Sequence, residues 1–314
     1  MLRATHVLTF VVAAGGLIAL LPGRCRAQNV GDTVVVIQTV RVKVGDKLLQ
    51  KHEPGIPLIV SAINGDWLWI NHKHSGWIPK SAVVSLDRAI EHFTHAIQVN
   101  PNDADAYSAR GATFNALEAW EAATRDFGQA IRLNPKHTAA YGNRAIAWRN
   151  LGDYQKAIGD YNSAIELNPN NPMLYRNRAI AWRHQHQVDK ALADLNEAIR
   201  LNPKQPGAYN SRAWIRATSP NAKYRDGMLA IEDAKRACDL SAYKSAEYLG
   251  TLAAAYAEAG EFDNAVHWQE RAHEIAPAAA KAESENLLAS YRARKPHRDQ
   301  GENAELAASG ESPR

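Results

Sequence analysis

Few residues in this chain have types and spacings suited to chemistry. His72 and His74 form a His-x-His, as do His184 and His186, while His92 and His95 stand three apart in a helical pattern. Imidazoles so spaced ligate metal when further donors complete a set of three or four. The neighbouring sequence supplies none, so solvated residues are expected, and no metal or other cofactor is assigned. Cys238 lies in a helical run without a resolving cysteine nearby in sequence, so burial as a small apolar side chain is expected. No glycine-rich phosphate loop, nucleophile elbow or Cys-x-x-Cys pair occurs. The chain is therefore expected not to be an enzyme. A hydrolase or metal enzyme built from unrecognised residues is the third reading. The recurring charges are more informative. Arg110, Arg144, Arg178 and Arg212 form one column, and Asp126, Asp160, Asp194 and Asp233 form another. One cation and one anion per period predicts a ladder of ion pairs between helices rather than a row of anion sites.

The elements that must position these charges follow from a fixed period. Pro101, Pro135, Pro169 and Pro203 recur every 34 residues, and Tyr107, Tyr141, Tyr175 and Tyr209 keep the same step. So do Gly111, Ala145, Ala179 and Ala213, and the alanines Ala89, Ala123, Ala157 and Ala191. Within a unit, Tyr141, Ala145 and Trp148 share one helical face, and Ala157, Ile158, Tyr161, Ala164 and Ile165 share another. Gly152-Asp153 turns between the two helices. Asn168-Pro169 ends the second, because proline disfavours helical geometry in the residue before it. A long period of paired helices is the signature of a stacked array.

These columns resemble the tetratricopeptide repeat family over residues 86–277. The resemblance implies a mainly α fold, a solenoid of helical hairpins. Residues 86–102 match only the second helix of a unit, residues 103–277 hold five repeats, residues 278–295 form a capping helix, and residues 296–314 are expected to be disordered. About five extra residues enter the fourth repeat around Ser219-Pro220-Asn221-Ala222-Lys223. Upstream, Gly65-Asp66-Trp67-Leu68-Trp69 and Gly76-Trp77-Ile78-Pro79 resemble a bacterial SH3-like domain. That resemblance implies a small antiparallel β-barrel over residues 28–85. Trp67, Trp69 and Trp77 are then either core or an aromatic surface for an extended ligand, and at least one of them is expected in the core.

The family's ligands usually lie against the first helices of its repeats. The corresponding residues here include Asn115, Ile146, Arg149, Asn150, Arg176, Ile180, Arg183, Asn210 and Trp214. Cations around an apolar floor suit an extended peptide with an acidic group. The expected function is an exported, non-enzymatic protein–protein interaction scaffold with a protein or peptide partner. The alternative is a cell-wall (peptidoglycan) binding module acting through the SH3-like domain.

Composition narrows the partner. The 37 basic and 33 acidic residues give +4, but Arg3, Arg24 and Arg26 lie in residues 1–27, which read as a signal peptide. Without them 34 basic residues face 33 acidic ones, a net +1, too little for nucleic acid, where phosphate neutralisation supplies most of the affinity. Cys25 sits at the expected cleavage site, so one thiol remains and a disulfide framework is excluded. The apolar run at residues 7–21 is short for a membrane span. A periplasmic or extracellular protein, free of the membrane after cleavage, is expected.

Overall fold

The computed structural model describes residues 32–299, apart from Thr39, Gly45, Asp46, Glu53 and residues 72–74. The signal peptide with Cys25, the His72/His74 pair and residues 300–314 of the expected tail lie outside the described residues. The chain divides into two compact units, one of strands up to Ser85 and one of helices from Leu86.

The first unit is a seven-stranded antiparallel sheet. Its strands are β1 (Thr33–Val36), β2 (Val40–Val44), β3 (Lys47–His52), β4 (Pro57–Asn64), β5 (Trp67–Asn71), β6 (Gly76–Pro79) and β7 (Val83–Ser85), in the order β3-β2-β6-β5-β4-β1-β7. Asn64 and Trp67 close the β4–β5 hairpin around Gly65, whose φ of +55° suits glycine. The sheet is not closed among the described residues: β3 and β7 end its order. A closed barrel, as expected from sequence, is therefore not what these strands form, and the three-residue β7 pairs with β1 as a short edge. The tryptophans need a second correction. Leu68, Ile70 and Ile78 are fully buried, whereas Trp67 is 42% exposed. Trp69 and Trp77, paired across β5 and β6, are half-buried and meet edge to face at 5.3 Å. Because side chains alternate across a strand, all three indoles lie on the face opposite that core.

The second unit begins with α1 (Leu86–Val99), followed by five helix pairs. The first helices of the pairs, called helix A below, are α2 (Ala104–Ala116), α4 (Thr138–Asn150), α6 (Pro172–His184), α8 (Pro206–Thr218) and α10 (Ala246–Glu258). Their partners, helix B, are α3 (Trp120–Leu133), α5 (Tyr154–Leu167), α7 (Val188–Leu201), α9 (Gly227–Leu240) and α11 (Phe262–Ile275), and α12 (Lys281–Arg292) follows. Asparagine ends each of α1, α3, α5 and α7, and its carbonyl accepts from the backbone three residues on, as in Asp103 N to Asn100 O at 3.1 Å. Asp103, Asp153 and Asp226 cap the helices after them by accepting from the N–H of Ala106, Lys156 and Leu229.

The small columns sit where helices touch. Ala123, Ala145, Ala157, Ala191, Ala213 and Ala230 are fully buried. Gly111 stands where its equivalents are alanine, and the Phe127 ring packs directly on it. A Cβ there would come 3.0 Å from the Phe127 ring. Four of the five turns between helices A and B use one left-handed residue: Glu118, Gly152, His186 and Gly260 all have φ between +55° and +82°. At His186 this fold requirement, rather than ligation, explains the position. His184 lies flat on the Tyr154 ring, 4.5 Å between centroids. Cys238 is fully buried, and burial pushes its thiol up to about 12.

Candidate functional site

The charge columns form the expected ladder. Each arginine grips one aspartate with Nε and Nη2: Arg110 with Asp126, Arg144 with Asp160, Arg178 with Asp194 and Arg212 with Asp233, at 2.6–2.8 Å. The first three pairs are 16 residues apart and the fourth 21, which registers the five-residue insertion. The carboxylates keep only 5–10% of side-chain exposure. Each guanidinium also rests 5.6–5.9 Å from the ring of the tyrosine three residues earlier, so the tyrosine column supports the arginine column. The remaining nitrogen reaches the preceding repeat: Thr94 from Arg110, Asn162 from Arg178 and Asn196 from Arg212. At the equivalent place Arg144 faces Gly128. The bidentate bonds to aspartate raise the pKa of Arg110, Arg144 and Arg212 above the ordinary arginine value. These charges are spent inside the solenoid.

Other cations on the helix A face are not. Arg149, near the end of α4, and Arg176 in α6 have no hydrogen-bond or ion-pair partner among the described residues, and Arg176 Nε is buried. Gly207, at the start of α8, leaves room for that guanidinium: a Cβ there would come 2.7 Å from Arg176 Nε. Both charges reach Tyr161, whose fully buried hydroxyl also lacks a partner. Burial pushes that hydroxyl up to about 12 despite the two arginines, so it stays a neutral donor. Ile146, Ile180 and Trp214 are half-buried beside these cations. Arg176, Ile180, Arg183, Asn210 and Trp214 line a cavity of about 550 Å³ bounded further by α10 and α12.

Not every residue expected here faces a ligand. Asn115 donates its amide to the Asn143 carbonyl at 3.0 Å, tying α2 to α4. Asn210 is buried and donates to Glu247 at 2.9 Å, tying α8 to α10. Asn150 is exposed at the C-terminal end of α4. Residues 296–299, expected to be disordered, instead lie against α8. The Asp299 N–H donates to the Thr218 carbonyl at 2.9 Å, and its carboxylate accepts from Arg183 at 3.0 Å and from the Trp214 indole at 2.9 Å. The His297 ring lies 5.6 Å from that of Trp214, and burial holds its imidazole below the ordinary histidine value. Arg298 pairs with Glu258 at 2.7 Å, and Arg225 of the insertion holds the other oxygen of Glu258 at 2.9 Å. Composition predicts disorder here because it does not register these five specific contacts.

Sequence profiles described as tetratricopeptide repeat match residues 138–171 and 172–205. No curated protein matches the chain. Among solved structures, the APC/C hetero-tetramer Cut9-Hcn1 superposes with a TM-score of 0.58 at 16% identity, over 66% of this chain and 40% of that one. Yeast Tom70 gives 0.52 at 18% identity, over 71% and 46%. YrrB, described as a TPR protein with an unusual peptide-binding site, gives 0.47 at 20% identity, over 63% and 100%. The chain thus spans less than half the length of the first two. At these identities the likeness is one of fold. The helical unit is a tetratricopeptide-repeat solenoid, and residues 138–205 carry its two matched repeats.

Proposed function

We propose that the helical unit is a protein-interaction scaffold whose helix A face holds an extended, acidic segment of a partner. The observation that carries this reading is the contrast between two sets of arginines. Those of the ladder are each matched by an aspartate, whereas Arg149 and Arg176 stand beside Ile146 and Ile180 with no acidic partner among the described residues. Leaving a half-buried guanidinium unmatched is costly, and a ligand carboxylate offsets that cost with charge-assisted bonds. A fluorescein-labelled Asp-Leu-Asp-Leu-Asp peptide should bind the full chain, and an Arg149→Glu, Arg176→Glu double variant should bind it at least about a hundredfold more weakly. Undiminished anisotropy change in that variant would remove the reading.

The scaffold is proposed to act after export through residues 1–27; N-terminal sequencing of the secreted protein should start at Gln28. A second reading, contact with the cell wall, is favoured by the outward face of Trp67, Trp69 and Trp77. Purified peptidoglycan should then sediment the full chain but not a Trp67→Ala, Trp77→Ala variant; equal sedimentation of both chains excludes that face.

A further inference from the structure

His297, Arg298 and Asp299 meet the groove as a short linear peptide would. Ring, cation and carboxylate each find a separate receptor. The ring lies on Trp214, the cation pairs with Glu258, and the carboxylate bridges Arg183 Nη1 and Trp214 Nε1. The backbone N–H of Asp299 is taken up by the Thr218 carbonyl, as in peptide recognition that uses main-chain as well as side-chain contacts. Arg183 lies one period after Arg149, and Trp214 one period after Ile180. The position holding Asp299 is therefore the next rung of the same face on which Arg149 lacks a partner. The charge pattern has a direction. Arg176 and Arg183 lie on the α6 side, while Glu247, Glu258 and Glu283 lie on α10 and α12. A segment carrying a cation next to a carboxylate matches both sides at once. The insertion in the fourth repeat contributes through Arg225, which holds Glu258 in place while leaving one of its oxygens to Arg298.

We infer that the groove around Arg183, Trp214 and Glu258 is a recognition site for a partner segment that presents a ring, a cation and a carboxylate in consecutive residues, and that the chain's own 297–299 segment occupies it as an internal competitor. The inference rests on the groove reading above and adds the partner's sequence chemistry and its regulation. A tethered competitor acts at an effective concentration in the millimolar range, so even a weak contact lowers affinity for an outside segment.

The test uses the full chain and a labelled peptide, Arg-Lys-Pro-His-Arg-Asp, with the sequence of residues 294–299. An Arg298→Ala, Asp299→Ala variant should bind this peptide at least about tenfold more tightly than the unaltered chain. Adding Arg183→Ala and Glu258→Ala to that variant should abolish the gain, and a peptide of the same composition in scrambled order should not show it. Equal binding to the unaltered chain and the tail variant, or no binding to either, overturns the inference. The acidic Asp-Leu peptide, titrated into the same preparations, separates the two claims. If it still binds while the tail peptide does not, the groove stands and only the internal competitor falls. If it fails as well, the groove reading falls with it.

Discussion

Replacing Asp233 with alanine is expected to destabilise the protein by about 3–5 kcal/mol, the usual cost of breaking a buried ion pair from one side. Asp233 is 4% exposed and accepts from Arg212 Nε and Nη2 and from Arg216 Nη1, at 2.6–2.8 Å. Its removal strands two guanidinium groups between α8 and α9. The loss should be local, because a solenoid's stability is close to a sum of repeat and neighbour contributions. Urea denaturation gives the magnitude. Hydrogen exchange should show protection lost in α8 and α9 before α4 and α5. Asp189→Ala, at an exposed carboxylate, is the contrast, with an expected change under about 1 kcal/mol. Replacing Asp233, Arg212 and Arg216 together by leucine and two methionines should cost far less than Asp233→Ala alone, since no charge is then left unmatched. A loss below about 1 kcal/mol for Asp233→Ala would mean that the ladder is ornament on an already sufficient apolar core.

Phe127→Ala should cost a similar amount, about 3–5 kcal/mol, for a different reason. The ring is fully buried in the core of the first helix pair and lies against Gly111, in a space no Cβ shares. The neighbouring pairs solve the same contact with Tyr161 on Ala145 and with Leu195 on Ala179. This predicts a coupling. Phe127→Leu alone leaves a gap, and Gly111→Ala alone presses a methyl into the ring. Together they recreate the Leu195–Ala179 contact and remove a helix-interior glycine, so the double variant should be more stable than either single variant. Thermal denaturation of the four chains reads this directly, and simple additivity would show that the two residues do not share a packing constraint.

What the sequence made legible follows from what a period can encode. Spacing of 34 residues reveals which residues are equivalent, and equivalence is enough for the tyrosine, arginine, aspartate and small columns, since each repeat places them alike. It does not say where a side chain spends its hydrogen bonds. Asn115 and Asn210 lie on helix A as expected, yet their amides tie neighbouring helices. Period-2 reasoning fails at Trp67-Leu68-Trp69-Ile70 because both parities are apolar. Burial of Leu68 and Ile70 settles it, and that depends on strands distant in sequence. That β3 and β7 end the sheet without pairing was equally invisible, because turn signals fix hairpins but not the order of strands distant in sequence. Docking of residues 297–299 depends on Arg183, Trp214, Thr218 and Glu258, which lie on three different helices, none near the tail in sequence.

The central claim is that partner binding occurs on the helix A face. It is tested most directly by photo-crosslinking. The full chain is made with p-benzoylphenylalanine in place of Ile146, on the helix A face of α4, or in place of Glu166, exposed on α5. Each form is irradiated with the labelled Asp-Leu peptide. Label should transfer at position 146, disappear when Arg149→Glu and Arg176→Glu are added, and be absent at position 166. Equal transfer at both positions, or transfer at 166 alone, would contradict the claim.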